Sequence, residues 1–157
     1  MSTNALESVD LLVVGGGKAG KSLAIERAKA GWKVAIVERR FVGGTCINVA
    51  CIPTKSLVNS ARRLNDARTD ETFGIVGTED ARVDLAKLRA HKEGIVGAMV
   101  AAHEKMFAAP GLDFIRGEAR FTGEHTVMIA LEEGGERTIR GERVLINLGS
   151  RPARPAI

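Results

Sequence analysis

Residues 10–14 read DLLVV, a short apolar run that ends at glycine, and residues 33–37 read KVAIV, a second run closed by Glu38. Between them lie the octet GGGKAGKS, residues 15–22, and a helical pattern through Leu23, Ile25 and Ala28 that Gly31 closes. Short apolar runs bounded by glycine suit strands buried on both faces, as in a parallel sheet. A glycine at the end of a helical pattern supplies the left-handed stop that other residues resist. Asp10 to Glu38 therefore reads as one tight strand–helix–strand unit, and it limits the chain to an α/β fold.

The octet satisfies two phosphate-binding patterns. Gly15, Gly17 and Gly20 fit G-x-G-x-x-G, whereas Gly15, Gly20, Lys21 and Ser22 fit G-x-x-x-x-G-K-[ST]. A triphosphatase loop needs Lys21 on the outer phosphates, Ser22 on magnesium, and an acidic residue ending another apolar strand. The one candidate for that acid, VMIALEE at 127–133, runs on through EEGGER into another strand, so Glu132 and Glu133 read as a hairpin tip. A dinucleotide loop asks for other things. Gly15 allows the tight turn, Gly17 lets the backbone approach a pyrophosphate, and Gly20 lets helix and strand pack closely. It also asks for a carboxylate at the tip of the next strand, to take ribose hydroxyls, and Glu38 stands there. The dinucleotide reading is favoured, against a triphosphatase and against a glycine-rich turn without ligand. Lys21 is expected to point to solvent.

Downstream, Pro53 opens a helix expected to run to Arg68, since proline is tolerated in a first turn. A glycine-containing loop follows at 73–77. A long helix is expected over Leu85 to Phe107, with Leu85, Leu88, Ile95, Met99 and Met106 as its buried positions. From Asp113 the texture changes to short strands at 114–121, 126–131, 136–140 and 144–148. EEGG at 132–135 and RGE at 140–142 read as turns between them. The expected architecture is α/β, a Rossmann-like dinucleotide-binding unit of parallel sheet and helices with an antiparallel β-meander attached.

Composition narrows the function classes. At 157 residues, 45% apolar and 27% charged, the chain suits one globular domain. A net charge of +4 without any run of five basic residues, and with 4% aromatics, reads as a solvated basic surface rather than a nucleic-acid face. No apolar run approaches the ~20 residues of a membrane span. The start, MSTNALESVD, has no basic stretch followed by an apolar core, so it is no secretory signal and a cytoplasmic location is expected.

The two cysteines, Cys46 and Cys51, stand in GGTCINVACIPTK, residues 43–55. In a regular α-helix that spacing sets their Cα atoms roughly 8–9 Å apart. A disulfide wants less than about 7 Å, so the segment must turn or distort if the sulfurs are to bond. A thiol near a helix N-terminus has its thiolate favoured by the dipole. No metal site is expected: His91, His103 and His125 lack zinc-site spacing and only two cysteines exist. Redox-active and inert cysteines both stay open on these grounds.

GGGKAG, the strand ending VER, GGTCINVACIPTK, GEARF (117–121) and LINLGSRP (145–152) resemble, in that order, the class I pyridine nucleotide–disulfide oxidoreductases. That family includes dihydrolipoyl dehydrogenase, glutathione reductase and mercuric reductase, and the last branch is the most similar. The resemblance covers nearly the whole chain and implies a Rossmann-like FAD/NAD(P)-binding fold, a parallel sheet with helices plus an antiparallel β-meander. It implies an FAD site: the glycine loop on the pyrophosphate, Glu38 on the adenosine ribose, Gly44 and Thr45 toward the flavin, the backbone around Ala119 at the adenine, and Gly149 close to the cofactor. It implies Cys46 as the exposed thiol that exchanges with substrate and Cys51 as the thiol beside the flavin, paired in a redox disulfide. Lys55, one turn beyond Cys51, would sit near the flavin and favour its reduced form. Electrons would pass from NAD(P)H through FAD and the Cys46–Cys51 disulfide to a small disulfide or metal-ion substrate, in a homodimer.

Four residues depart from the family's pattern. Ala50 replaces a usual glycine, which reduces backbone freedom, and Leu148 replaces a usual threonine, which removes a hydroxyl. Lys18 and Lys21 are unusual in the glycine loop. The length departs as well: family chains continue into NAD(P)H-binding and dimerisation domains. Residues 1–148 are expected to be the N-terminal FAD-binding portion and 149–157 a linker toward an absent NAD(P)H domain. With a single G-x-G-x-x-G element, the chain alone is expected to show little NAD(P)H turnover. A non-catalytic flavin-binding module is the competing reading.

Overall fold

The computed structural model describes residues 6–69 and 73–156. The N-terminal reading of residues 1–5 lies outside this range. Five strands and four helices follow in the order β1 (Leu6–Val14), α1 (Lys18–Lys29), β2 (Val34–Glu38), α2 (Thr45–Asn48), α3 (Cys51–Thr69), α4 (Leu85–Phe107), β3 (Leu112–Gly123), β4 (Thr126–Leu131) and β5 (Glu136–Ile146). The expected strand–helix–strand unit is present. Gly31, at φ +85°, ends α1, and its N–H donates to the Ala28 carbonyl.

The strands close into a ring in the order β1-β2-β3-β4-β5. β1 lies parallel to β2 and to β5, and β2 parallel to β3, whereas β3–β4 and β4–β5 are antiparallel. The sheet and the meander share strands. β3 pairs with β2 over 112–116 and with β4 from Gly117 onward. β5 pairs with β4 over 136–140 and leaves it at Gly141, while staying on β1 through Ile146. The two switch points are glycines for a steric reason. A Cβ on Gly117 would collide with the Ala130 carbonyl, and one on Gly141 would stand 2.8 Å from the Leu12 Cβ. Glycine in a strand interior marks this kind of bend and close approach. The RGE segment at 140–142 is thus a bend in one continuous strand, and the two strands expected at 136–140 and 144–148 are one.

Two apolar layers hold the ring. Leu12, Val14, Ala35, Val37, Ile115, Val127, Ile129 and Ile139 form one cluster. Leu11, Val13, Val34 and Ile36 form the other with Ala24 and Ala28 of α1 and Phe107 of α4. Alternation along β1 and β2 feeds both, because successive side chains face opposite sides of a sheet. Phe107 stacks on Phe114 with ring centroids 4.4 Å apart. The buried face of α4 differs from the expected one. His103 and Phe107 are its buried residues, Leu88, Ile95 and Met99 are half-buried, and Leu85 and Met106 are exposed. Apolar residues occur all round this helix, so periodicity leaves its contact face undetermined.

Candidate functional site

The ends of β1 and β2, the start of α1, the turn into α2, β3 and the segment after β5 line one open cleft of about 900 Å³. Its floor is the glycine loop. Gly15, at φ +109°, passes so close to β5 that a Cβ would collide with the Asn147 carbonyl. Gly20 packs α1 onto β1: a Cβ there would strike the Gly15 carbonyl and stand 2.9 Å from Val13 Cγ1. Gly17 is the N-cap of α1 with no side-chain cap among the described residues. Gly17, Lys18 and Ala19 line the cleft. Unsatisfied first-turn N–H groups and the positive end of the helix dipole therefore face open space, which is the chemistry of an anion site.

Glu38 ends β2 at the cleft wall and braces the loop. Its Oε2 accepts from the Gly16 N–H at 2.8 Å, and its Oε1 accepts from the N–H groups of Arg40 (2.7 Å) and Phe41 (2.9 Å). A second glycine turn crosses the loop from above. Gly43 and Gly44 have φ of +84° and +81°, and a Cβ on Gly44 would lie 2.7 Å from the Gly17 Cα. That contact brings Thr45 and Cys46 onto the rim. Gly117, Glu118 and Ala119 of β3 form the opposite wall, where Arg39 meets Glu118 at 2.7 Å. Leu148 and Gly149 complete the lining, Leu148 being 72% exposed.

The thiols sit where α2 meets α3. Thr45–Asn48 is a single helical turn, and α3 restarts at Cys51 with Pro53 in its first turn. The helical run is thus broken between the two cysteines, which a bond between them would require. Ala50, like every other non-glycine residue described, keeps a negative φ, so the alanine is accommodated without strain. Both thiols are free. Cys46, expected as the exposed thiol, is half-buried and lines the cleft; Cys51 is exposed and lies outside the lining, as does Lys55. A hydrogen bond with the Cys51 thiol, then burial, raises the Cys46 pKa above its ordinary value, against weaker lowering by Lys18 and Lys55.

The structure thus brings Gly15, Gly17, Glu38, Gly44, Thr45, Cys46, Ala119 and Gly149 to one cleft, with Gly20 buried behind it. Sequence reasoning missed Asn147, whose side-chain amide donates to the Gly15 carbonyl at 3.2 Å. The signal was available, since Asn147 is the polar residue ending an apolar strand one step before the LGS segment. Lys21 corrects another expectation. It does not point to solvent but is half-buried, its Nζ 2.8 Å from His103 Nε2 on α4. Burial, then the Lys18 charge, lowers its pKa. An ammonium engaged there lies outside the cleft lining, so the triphosphatase pattern has lost its phosphate-binding lysine.

The chain is 36% identical over 142 residues to a dihydrolipoamide dehydrogenase of Chaetomium thermophilum, covering 90% of this chain and 28% of the relative. It is 39% identical over 144 residues to a dihydrolipoyl dehydrogenase of Haloferax volcanii, covering 90% and 30% respectively. Among solved structures it is similar to the Cu(II) complex of the HOCl-induced flavoprotein disulfide reductase RclA from Escherichia coli. That match has a TM-score of 0.76 and 33% identity, over 96% of this chain and 31% of that one. The chain spans about 30% of the length of the relatives it matches. With residues 9–157 matching the family model described as pyridine nucleotide-disulphide oxidoreductase, the chain belongs to that family.

Proposed function

We propose that this chain is the FAD-binding portion of a flavoprotein disulfide oxidoreductase. Residues 1–148 form the FAD-binding domain, and 149–157 lead out of it toward a part that binds NAD(P)H. One observation carries the reading: the uncapped N-terminus of α1 and the Cys46 thiol open onto the same cleft. An anion-binding end and a redox-capable side chain in one cavity suit a cofactor that carries both a diphosphate and a redox ring.

The residues present fit that group. The first-turn amides of α1 and the Lys18 ammonium would hold the diphosphate, and the bare Gly44 lets the thiol turn close down on the glycine loop beside it. Glu38, already fixed by three backbone donors, offers its remaining lone pairs to the ribose hydroxyls. Gly117 to Ala119 would border the adenine, and Thr45 and Gly149 the flavin end. Bound FAD supplies two-electron chemistry between NAD(P)H and the thiol pair. On the protein side, Cys46 and Cys51 together give up two electrons and two protons when the S–S bond forms, and regain both when it breaks. Lys55 keeps a positive charge near the pair and favours anionic forms. The electron acceptor is a small disulfide or a metal ion. A similar solved structure, a Cu(II) complex of a flavoprotein disulfide reductase, is compatible with both classes.

Titration of FAD into the apo-chain, followed by flavin fluorescence, tests the reading. Binding is expected in the wild type. Gly17→Val obstructs the diphosphate, and Glu38→Ala removes the ribose contact at a cost of about 1–3 kcal/mol. Equal affinity in all three proteins overturns the assignment.

A further inference from the structure

Three elements meet at the imidazole of His103, which is 7% exposed. Its Nδ1 lies 2.6 Å from the Met99 carbonyl and its Nε2 2.8 Å from Lys21 Nζ. A carbonyl oxygen only accepts, so Nδ1 carries the proton and donates it; Nε2 is then the lone pair that accepts from the Lys21 ammonium. The third side of the ring faces the thiol loop. A Cβ on Gly43 would stand 3.1 Å from His103 Cδ2 and 3.2 Å from Cγ, so the bare glycine lies directly on the imidazole.

These contacts form a closed circuit. Lys21 holds His103, His103 supports Gly43, and Gly44 presses on the Gly17 Cα. The Lys21 backbone N–H donates to the Gly17 carbonyl at 2.9 Å, which returns the circuit to its start. The glycine loop and the turn that delivers Cys46 are thereby tied together through one histidine of α4. Half-burying an ammonium opposes its charge, and the lowered pKa of Lys21 reflects that opposition. Simple packing of α1 on α4 would need no such group.

We propose that His103 is a positioning residue of the redox site, a platform clamped by Lys21 and Met99 that sets the Gly43–Gly44 turn on Gly17 and so fixes Cys46 at the cleft. This rests on the reading of Cys46 as a redox thiol beside the cofactor. A residue that only fills space would tolerate an apolar ring, whereas a clamped platform would not.

The experiment measures iodoacetamide alkylation of Cys46 in the reduced chain, resolved from Cys51 by tandem mass spectrometry. FAD affinity is measured on the same proteins, and circular dichroism verifies that each is folded. His103→Phe keeps a ring but loses both hydrogen bonds, Lys21→Met keeps length but loses the charge, and His103→Gln keeps an acceptor for Lys21. In the first two, Cys46 alkylation is expected to rise about fivefold or more and FAD affinity to fall by a similar factor, because both lose the Lys21–His103 hydrogen bond. The double variant H103F/K21M should go no further than His103→Phe alone, because Lys21 acts through that ring. His103→Gln should return toward the wild-type rate. Should His103→Phe fail to fold, Lys21→Met and His103→Gln carry the comparison alone. Alkylation within twofold of wild type in a folded Lys21→Met or His103→Phe chain, or additive effects in the double variant, would overturn the proposal. If even the wild type binds no FAD, the cofactor reading fails while the alkylation rates still decide the role of His103.

Discussion

The side-chain amide of Asn147 donates to the carbonyl of Gly15 at 3.2 Å, and the Asn147 backbone N–H donates to the Val14 carbonyl at 2.8 Å. One residue at the end of β5 thus fastens the start of the glycine loop. A Cβ on Gly17 would also stand 3.2 Å from the Asn147 amide nitrogen, so this side chain backs the loop along its length. Asn147→Ala removes the side-chain bond and leaves the backbone one. It should cost about 1 kcal/mol, read as a several-fold weaker FAD affinity with little change in melting temperature. Asn147→Asp would set a carboxylate against the Gly15 carbonyl and should be worse than alanine. Titrations in which alanine and aspartate both match the wild type would remove Asn147 from the site.

Gly44 is constrained twice, by φ of +81° and by contact with Gly17. A left-handed backbone costs an L-residue roughly 1–2 kcal/mol, and the steric overlap adds to it. Gly44→Ala should therefore lower unfolding stability by about 2 kcal/mol or more in urea denaturation. Gly134→Ala serves as the control, since it shares the positive φ (+93°) but has open space around its Cβ position. Similar losses in the two variants would show that the contact with Gly17 contributes nothing.

Hydrogen bonding to Cys51 raises the Cys46 pKa, so its thiolate forms at higher pH than in an ordinary cysteine. The pH–rate profile of Cys46 alkylation should have its midpoint above the ordinary thiol range. Cys51→Ala removes the main cause of the shift, and the midpoint should move down. An unmoved midpoint would mean that the two thiols do not interact.

Arg137 joins three strands: its guanidinium contacts Glu7 of β1 at 2.7 and 2.9 Å and also pairs with Asp113 of β3. The Arg137 hydrogen bond is the main cause that holds the Glu7 pKa below its usual 4.5, against desolvation, which raises it. A carboxyl with a depressed folded-state pKa stabilises the fold above its unfolded value. That contribution is lost as pH falls from about 4.5 through the lower folded value, because the unfolded chain binds the proton first. Urea midpoints measured from pH 7 to pH 3 should fall more steeply for the wild type than for Glu7→Gln. Parallel slopes would exclude a role for the pair in acid stability.

Much of the site was legible in the sequence because its demands are local. A tight turn, a close backbone approach and a carboxylate at a strand tip each call for a residue type at a fixed place, and Gly15, Gly20 and Glu38 meet those demands within the β1–α1–β2 unit. The long helix at 85–107 and the break before α3 were equally local, set by composition and by Pro53. What the sequence could not decide depended on groups far apart in the chain. Gly141 has the composition of a turn, and only its packing on Leu12 makes it a bend in an unbroken strand. Lys21 reads as a solvent-facing helix residue until α4 delivers His103, 82 positions away, to its ammonium. Asn147 acquires its role from a carbonyl 132 positions earlier. Cys46 and Cys51 are the same residue type in the same motif, and only the tertiary structure shows that Cys46 lines the cleft while Cys51 does not. Local sequence specifies which conformations are allowed, whereas the choice of partner comes from tertiary packing, which alone brings distant groups within the 3–4 Å range of hydrogen bonds and contacts.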